Sequence, residues 1–171
     1  MSTAVAIPAP RIGEVHVRRA VPEDEDGLAS LLAGLSSASA HQRFLTGLGR
    51  RPPRSLVARL LADGEHGSAL VAELDGALVG HGHWAHARDR TSSGVPHAAE
   101  IAVVVADRHQ RQGIGGALIA GLVREISRRG YARLQVVTGT HNRTVLRMVA
   151  RQRTVAPPRR EGPCLTYELA L

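Results

Sequence analysis

Lysine is missing from this chain: all 22 of its basic side chains are arginine. We attribute that bias to genomic base composition. Cysteine occurs once, at Cys164, which excludes an internal disulfide and predicts a reducing, cytoplasmic setting. Aromatic residues make up only 2% of the chain, leaving few platforms on which nucleic-acid bases could stack. No apolar run reaches membrane length, so no partnership with a membrane is expected. The first residues lack the basic-then-apolar layout of a secretory signal.

What is present fits one domain, since 171 residues suffice for a sizeable core. Residues 1–13 read as a flexible N-terminal arm and residues 14–171 as a single domain. The net charge of +7 suits a polyanionic ligand. A nucleic acid would satisfy the same charge, but the arginines are dispersed and the aromatics scarce. Val15 and Val17 share one face of a first strand. Pro22 and the acids after it open a helix at the end that its dipole favours. Leu28, Leu31, Leu32 and Leu35 then form its core-facing stripe. Asp75-Gly76 predicts a hairpin between strands 68–74 and 77–85, the second carrying His81 and His83 on one face. A metal site there lacks matching carboxylates or thiolates, so none is assigned. Arg88 to His97 reads as a polar loop.

Residues 100–129 organise the rest. Ile101 to Val105 is a β-branched apolar run that reads as a buried strand. Ile114, Ala117, Leu118, Leu122 and Ile126 recur at helical spacing, and Gly130 follows as the stop. Between strand and helix lies Gln110-x-x-Gly113-x-Gly115-Gly116. Free amides and the positive dipole end of a helix N-terminus attract anions. Glycines let the backbone approach a phosphate closely, and Arg108 and Arg111 add charge at the mouth. The stretch reads as a diphosphate cradle. It lacks the Gly-Lys-Ser/Thr ending of a nucleotide-hydrolysing loop and the glycine spacing of the dinucleotide fingerprint.

Strand, loop and helix in this order resemble the acyl-CoA loop of the GNAT superfamily of N-acyltransferases. The resemblance runs from about residue 14 to the end. It implies an α/β (α+β) GNAT fold, a mixed central sheet with splayed strands flanked by helices, and no metal. It implies acetyl-CoA, or another short acyl-CoA, as cosubstrate. Its diphosphate would meet Arg108, Gln110, Arg111, Gln112, Gly113, Ile114, Gly115 and Gly116. Its pantetheine arm would run beside Val103, Val104 and Val105 and touch Asn142, which also reads as a helix cap. A backbone N–H of the central strand would polarise the thioester carbonyl. Ala98-Ala99-Glu100, and the segment Leu35-Ser36-x-x-Ser39-x-x-x-Arg43-Phe44, resemble the protein-lysine acetyltransferase branch. They imply Glu100 as general base and an amine acceptor, a protein lysine among the candidates. Without lysine, the chain offers itself no ε-amine. A glutamate entering an apolar strand is expected to hold its proton more tightly than usual, which suits a base. Phe44 as a core anchor and Arg43 as a surface or pairing charge is an equally weighted structural reading of that segment.

One departure matters. Where many members of the superfamily carry a tyrosine six residues after the asparagine, this chain has Met148, and Tyr131 and Tyr167 read as packing residues. The general acid is therefore unassigned. The same departure supports an alternative, a non-catalytic acyl-CoA-binding or sensing module. The acceptor, the acyl chain and the oligomeric state, a dimer included, stay open at this stage.

Overall fold

The Asp75-Gly76 turn sets the centre of the molecule. Both residues adopt positive φ, 49° and 77°, the combination a type I′ hairpin requires. It joins β3 (Gly67–Leu74) to β4 (Ala77–His86). In the computed structural model the described residues are 11–12, 14–49, 51–65, 67–87 and 98–171. The predicted loop 88–97 and residues 1–10 of the predicted arm lie outside them. Arg11 and Ile12, also assigned to the arm, instead form β1 (Arg11–Ile12), paired with β2 (Val15–Arg19). That correction has a simple cause: the ladder supplies backbone partners that the unpatterned sequence does not announce.

The remaining strands are β5 (Ala98–Val105), β6 (Arg133–Gly139), β7 (Arg159–Glu161) and β8 (Cys164–Ala170). The sheet of eight runs β1-β2-β3-β4-β5-β6-β8-β7. Among the described residues, only the pairing of β5 with β6 is parallel. The crossover between them is α4 (Ile114–Arg128), as a parallel pair demands. The other helices are α1 (Glu25–Ala33), α2 (Ser37–Phe44), α3 (Arg54–Leu61) and α5 (Arg143–Val149). This is the mixed sheet flanked by helices that the sequence predicted. Strand β7 has no apolar residue to announce it in the sequence, and its pairing with β8 is turned by Gly162 at φ 58°.

Two apolar clusters sandwich the sheet. On one face α4 sets Ile114, Leu118, Leu122 and Ile126 against Val17, Leu70, Ala72, Trp84 and Ala99. Gly80 and Gly82 of β4 let it lie close, since a Cβ on either would stand 3.1 Å from Leu118 or Leu122. On the other face α1 and α3 set Leu28, Leu31, Leu32, Val57 and Leu60 against Ala69, Val71 and Val104. A bulge inserts Val79 between the partners of Ala72 and Glu73, resetting which β4 residues face each cluster. Among the described residues no helix is long and apolar enough to cross a membrane.

Candidate active site

Strand β5 is paired along its length on one side only. Its register with β4 is continuous from Gly80↔Val105 to His86↔Ala99. With β6 it pairs at Ala98↔Arg133, Ala99↔Leu134 and Glu100↔Gln135, and there the ladder stops. Both strands continue, β5 to Val105 and β6 to Gly139, so they form a fork with Glu100 and Gln135 at its apex. Backbone groups of 101–105 on the fork side have no strand to pair with, and such an edge accepts an extended ligand as an added strand.

The loop that carries Gln110, Gly113, Gly115 and Gly116 follows β5 directly. Gly113 holds φ 87° as N-cap of α4, and Arg111 holds φ 62°. A side chain on Gly113 would strain that conformation. A Cβ on Gly116 would meet nothing within 4 Å, which leaves open space at the helix N-terminus. The side chains around it have other work. Ile114 is 1% exposed in the core. Gln110 donates its amide to the Val105 carbonyl (3.1 Å) and to Ser39 Oγ (3.0 Å). Gln112 donates to the Arg108 carbonyl at 3.3 Å. The main chain is thus held ready for a ligand by side chains that turn away from it. Val104 is buried, while Val103 and Val105 pack at the edge of the α4 cluster. Asn142 is buried, and its Oδ1 accepts from Val145 N at 3.3 Å, the cap the sequence predicted.

The Ser-x-x-Ser segment fastens α2 to this loop. Asp107 accepts from the Ser36 amide (3.0 Å), Ser36 Oγ (2.7 Å) and Ser39 Oγ (2.8 Å). Burial pushes the Asp107 carboxyl up, but these donors outweigh it and hold the group below the usual carboxylate range. At the other end of α2, Phe44 packs on the α1–α3 cluster as an anchor. Arg43 is no surface charge: its Nη2 donates to His83 Nδ1 at 2.9 Å, and its guanidinium lies 4.8 Å from the Phe44 ring centroid.

Beside the apex lies a cavity of about 410 Å³ lined by His83, Ala85, His86, Glu100 and Ile101. Glu100 is directly opposite Ala85, so it shares a face with His83 and His81. Burial first, then Arg43 and His81, lower the His83 pKa to about 3. Burial lowers that of His81 to about 4, with Arg43 adding to it against the bond to Leu60. Both rings are neutral at pH 7. His81 donates from Nε2 to the Leu60 carbonyl (3.0 Å). No group of three or more potential metal-binding side chains occurs among the described residues.

Sequence reasoning missed three associations. Arg43 with His83 is one. The hydroxyl of Tyr131, expected only to pack, bonds His86 Nδ1 at the cavity wall, and its ring meets Trp84 edge-on. The third is Glu125, buried in α4 and held by Arg19 (2.6 Å), Arg129 (3.2 Å) and Ser68 (2.8 Å); it ties α4 to β2 and β3. Met148, at the position of the absent tyrosine, is 41% exposed.

The family model described as "Acetyltransferase (GNAT) family" matches residues 39–153. Among curated proteins, none matches the chain significantly. Among solved structures, the GNAT domain of S. lividans PAT is similar at 22% identity, with 93% of this chain and 92% of that one covered and a TM-score of 0.79. A ribosomal-protein-alanine N-acetyltransferase from Brucella melitensis is similar at 20% identity, 91% and 99% coverage and a TM-score of 0.64. The Salmonella typhimurium protein yncA, solved with its cofactor acetyl-CoA, is similar at 18% identity, 93% and 94% coverage and a TM-score of 0.64. All three share the fold described above.

Proposed function

The chain belongs to the GNAT acetyltransferase family, an acetyl-CoA-dependent N-acetyltransferase by that membership, and from this premise we propose that Glu100 is its general base and a protein lysine its acceptor. The observation that carries the reading is the fork: Glu100 stands at its apex, against the cavity, and the phosphate loop leaves the far end of the same strand. The diphosphate of acetyl-CoA lies on the main chain of Gly113–Gly116, with Arg108 and Arg111 at the mouth. The pantetheine follows residues 103–105 and passes Asn142, and the thioester reaches the apex.

A lysine ammonium, with an ordinary pKa of about 10.4, must lose a proton before it attacks. Glu100 takes that proton, directly or through water. The amine nitrogen bonds to the acetyl carbon, the carbon–sulfur bond breaks, and the pair leaves on sulfur. A thiol's ordinary pKa of about 8.5 makes that thiolate a competent leaving group near neutrality. Solvent can protonate it, so Met148 in place of a tyrosine does not remove the reaction. The acceptor assignment rests on the Leu35–Phe44 and Ala98–Glu100 motifs. Residues 14–171 act as one catalytic unit, in a cytoplasm whose reducing potential suits the single thiol.

Glu100→Gln tests the reading. Release of CoA thiol in the presence of lysine-bearing peptides is expected to fall roughly 10²–10⁴-fold, with calorimetric affinity for acetyl-CoA unchanged. Full turnover in that variant, or no association with acetyl-CoA in the parent, would refute it.

A further inference from the structure

Arg43 is an expensive residue to keep where it is. Its side chain packs between α2 and β4, and burial lowers its pKa to about 10 against the pull of Glu100. Its hydrogen bond goes to a neutral imidazole. Its Nε is buried with no hydrogen-bond partner among the described residues. A guanidinium placed for stability is paired with a carboxylate and satisfied; a buried donor left orphaned costs free energy. The packing of α2 draws on the charge only where the guanidinium lies over the Phe44 ring, 4.8 Å from its centroid; Phe44 itself anchors the helix end and Asp107 fastens its start.

The charge is held 2.9 Å from His83, which lines the same cavity and lies on the same sheet face as Glu100, and the Glu100 carboxylate attracts it. Among the described residues, the other titratable groups turned toward this face are few. Strand β4 brings His83 and His81, both neutral. Strand β6 brings uncharged Gln135 beside Glu100. Strand β8 brings Glu168, opposite Gln135 and already held by Arg133 and Arg159. His86 reaches the cavity from the opposite face, held by Tyr131.

We propose that Arg43 is the positioning residue of Glu100: pinned by His83, its guanidinium keeps the carboxylate anionic and oriented at the cavity wall. This rests on the reading of Glu100 as general base. An apolar strand favours the protonated acid, which cannot accept a proton from the amine; a fixed cation next to it opposes that tendency. The balance keeps a base that is ionised at neutral pH. His83 contributes by accepting from Nη2, which orients the planar guanidinium.

The test is the pH profile of kcat/KM for acetyl transfer, in parent, Arg43→Met, Arg43→Lys and Glu100→Gln, with thermal unfolding and acetyl-CoA affinity measured alongside. Removing the cation favours the protonated carboxyl, so the acid limb of Arg43→Met should move up by about one pH unit. Arg43→Lys, which keeps the charge, should restore most of it, and acetyl-CoA affinity should not change. An unmoved limb in Arg43→Met overturns the proposal, as does a loss confined to stability. If Arg43→Met does not fold, Arg43→Gln is read by the same criterion. Should Glu100→Gln keep turnover and the acid limb, the base assignment falls and the role of Arg43 with it. Should Glu100→Gln lose turnover while Arg43→Met keeps the parental limb, only Arg43 is refuted.

Discussion

Helix α4 covers one face of the sheet with Leu118, Leu122 and Ile126, each 0% exposed, and the strands answer with apolar side chains or none. Under α1, α2 and α3 the opposite face also carries leucines and valines, but among them stand His81 and His83, which burial keeps neutral, and Arg43, whose guanidinium stays charged against the pull of desolvation. The first face holds the fold together by area and close packing. The second accepts unfavourable desolvation next to Glu100, and polar groups kept at such a cost mark where chemistry is done.

Substitutions should separate the two. Leu122→Ala removes fully buried volume from the α4 face and is expected to cost about 2–5 kcal/mol in denaturant unfolding. The acid limb of its pH profile should stay in place; a moved limb would mean that the faces are not independent. The polar face should reveal itself through acid. His81 and His83 have folded pKa values of about 4 and 3, below the ordinary 6.5, so the unfolded chain binds the extra protons. Stability is then complete above about pH 6.5 and falls as pH drops toward 4, by up to about 1.4 kcal/mol per unit for each ring. His83→Leu should remove about half of that slope, and Leu122→Ala none of it. The smallest effect belongs to Asp107→Asn, which sets an amide donor against the donors of Ser36. About 1 kcal/mol of stability should go, together with several-fold in acetyl-CoA affinity by calorimetry.

Periodic and local features were legible before the structure. Leu28, Leu31 and Leu32 of the α1 stripe, the stripe of α4, the Asp75-Gly76 hairpin and the Asn142 cap stand as read, because each rests on neighbours a few residues apart, whereas Leu35 falls beyond the end of α1 at Ala33. The loop and Glu100 sit within one short stretch, so their order along the chain already placed them at the two ends of β5. What was hidden lies between distant residues. Arg43 and His83 are 40 positions apart, Tyr131 and His86 are 45, and no spacing rule joins them. Strands β1 and β7 were hidden for another reason: two or three residues long and exposed or edge-paired, they have no apolar alternation to detect.

Asp107 carries one more implication. Because Ser36 and Ser39 are both tied to it, and Gln110 is tied to Ser39, the start of α2 and the turn after β5 behave as a single lever. Anyone wishing to retrain this protein toward a different acceptor would do poorly to redraw residues 36–39, since loosening them slackens the turn after β5 as well. The stretch Thr46–Gly49, beyond the left-handed Leu45 that ends α2, offers freer ground.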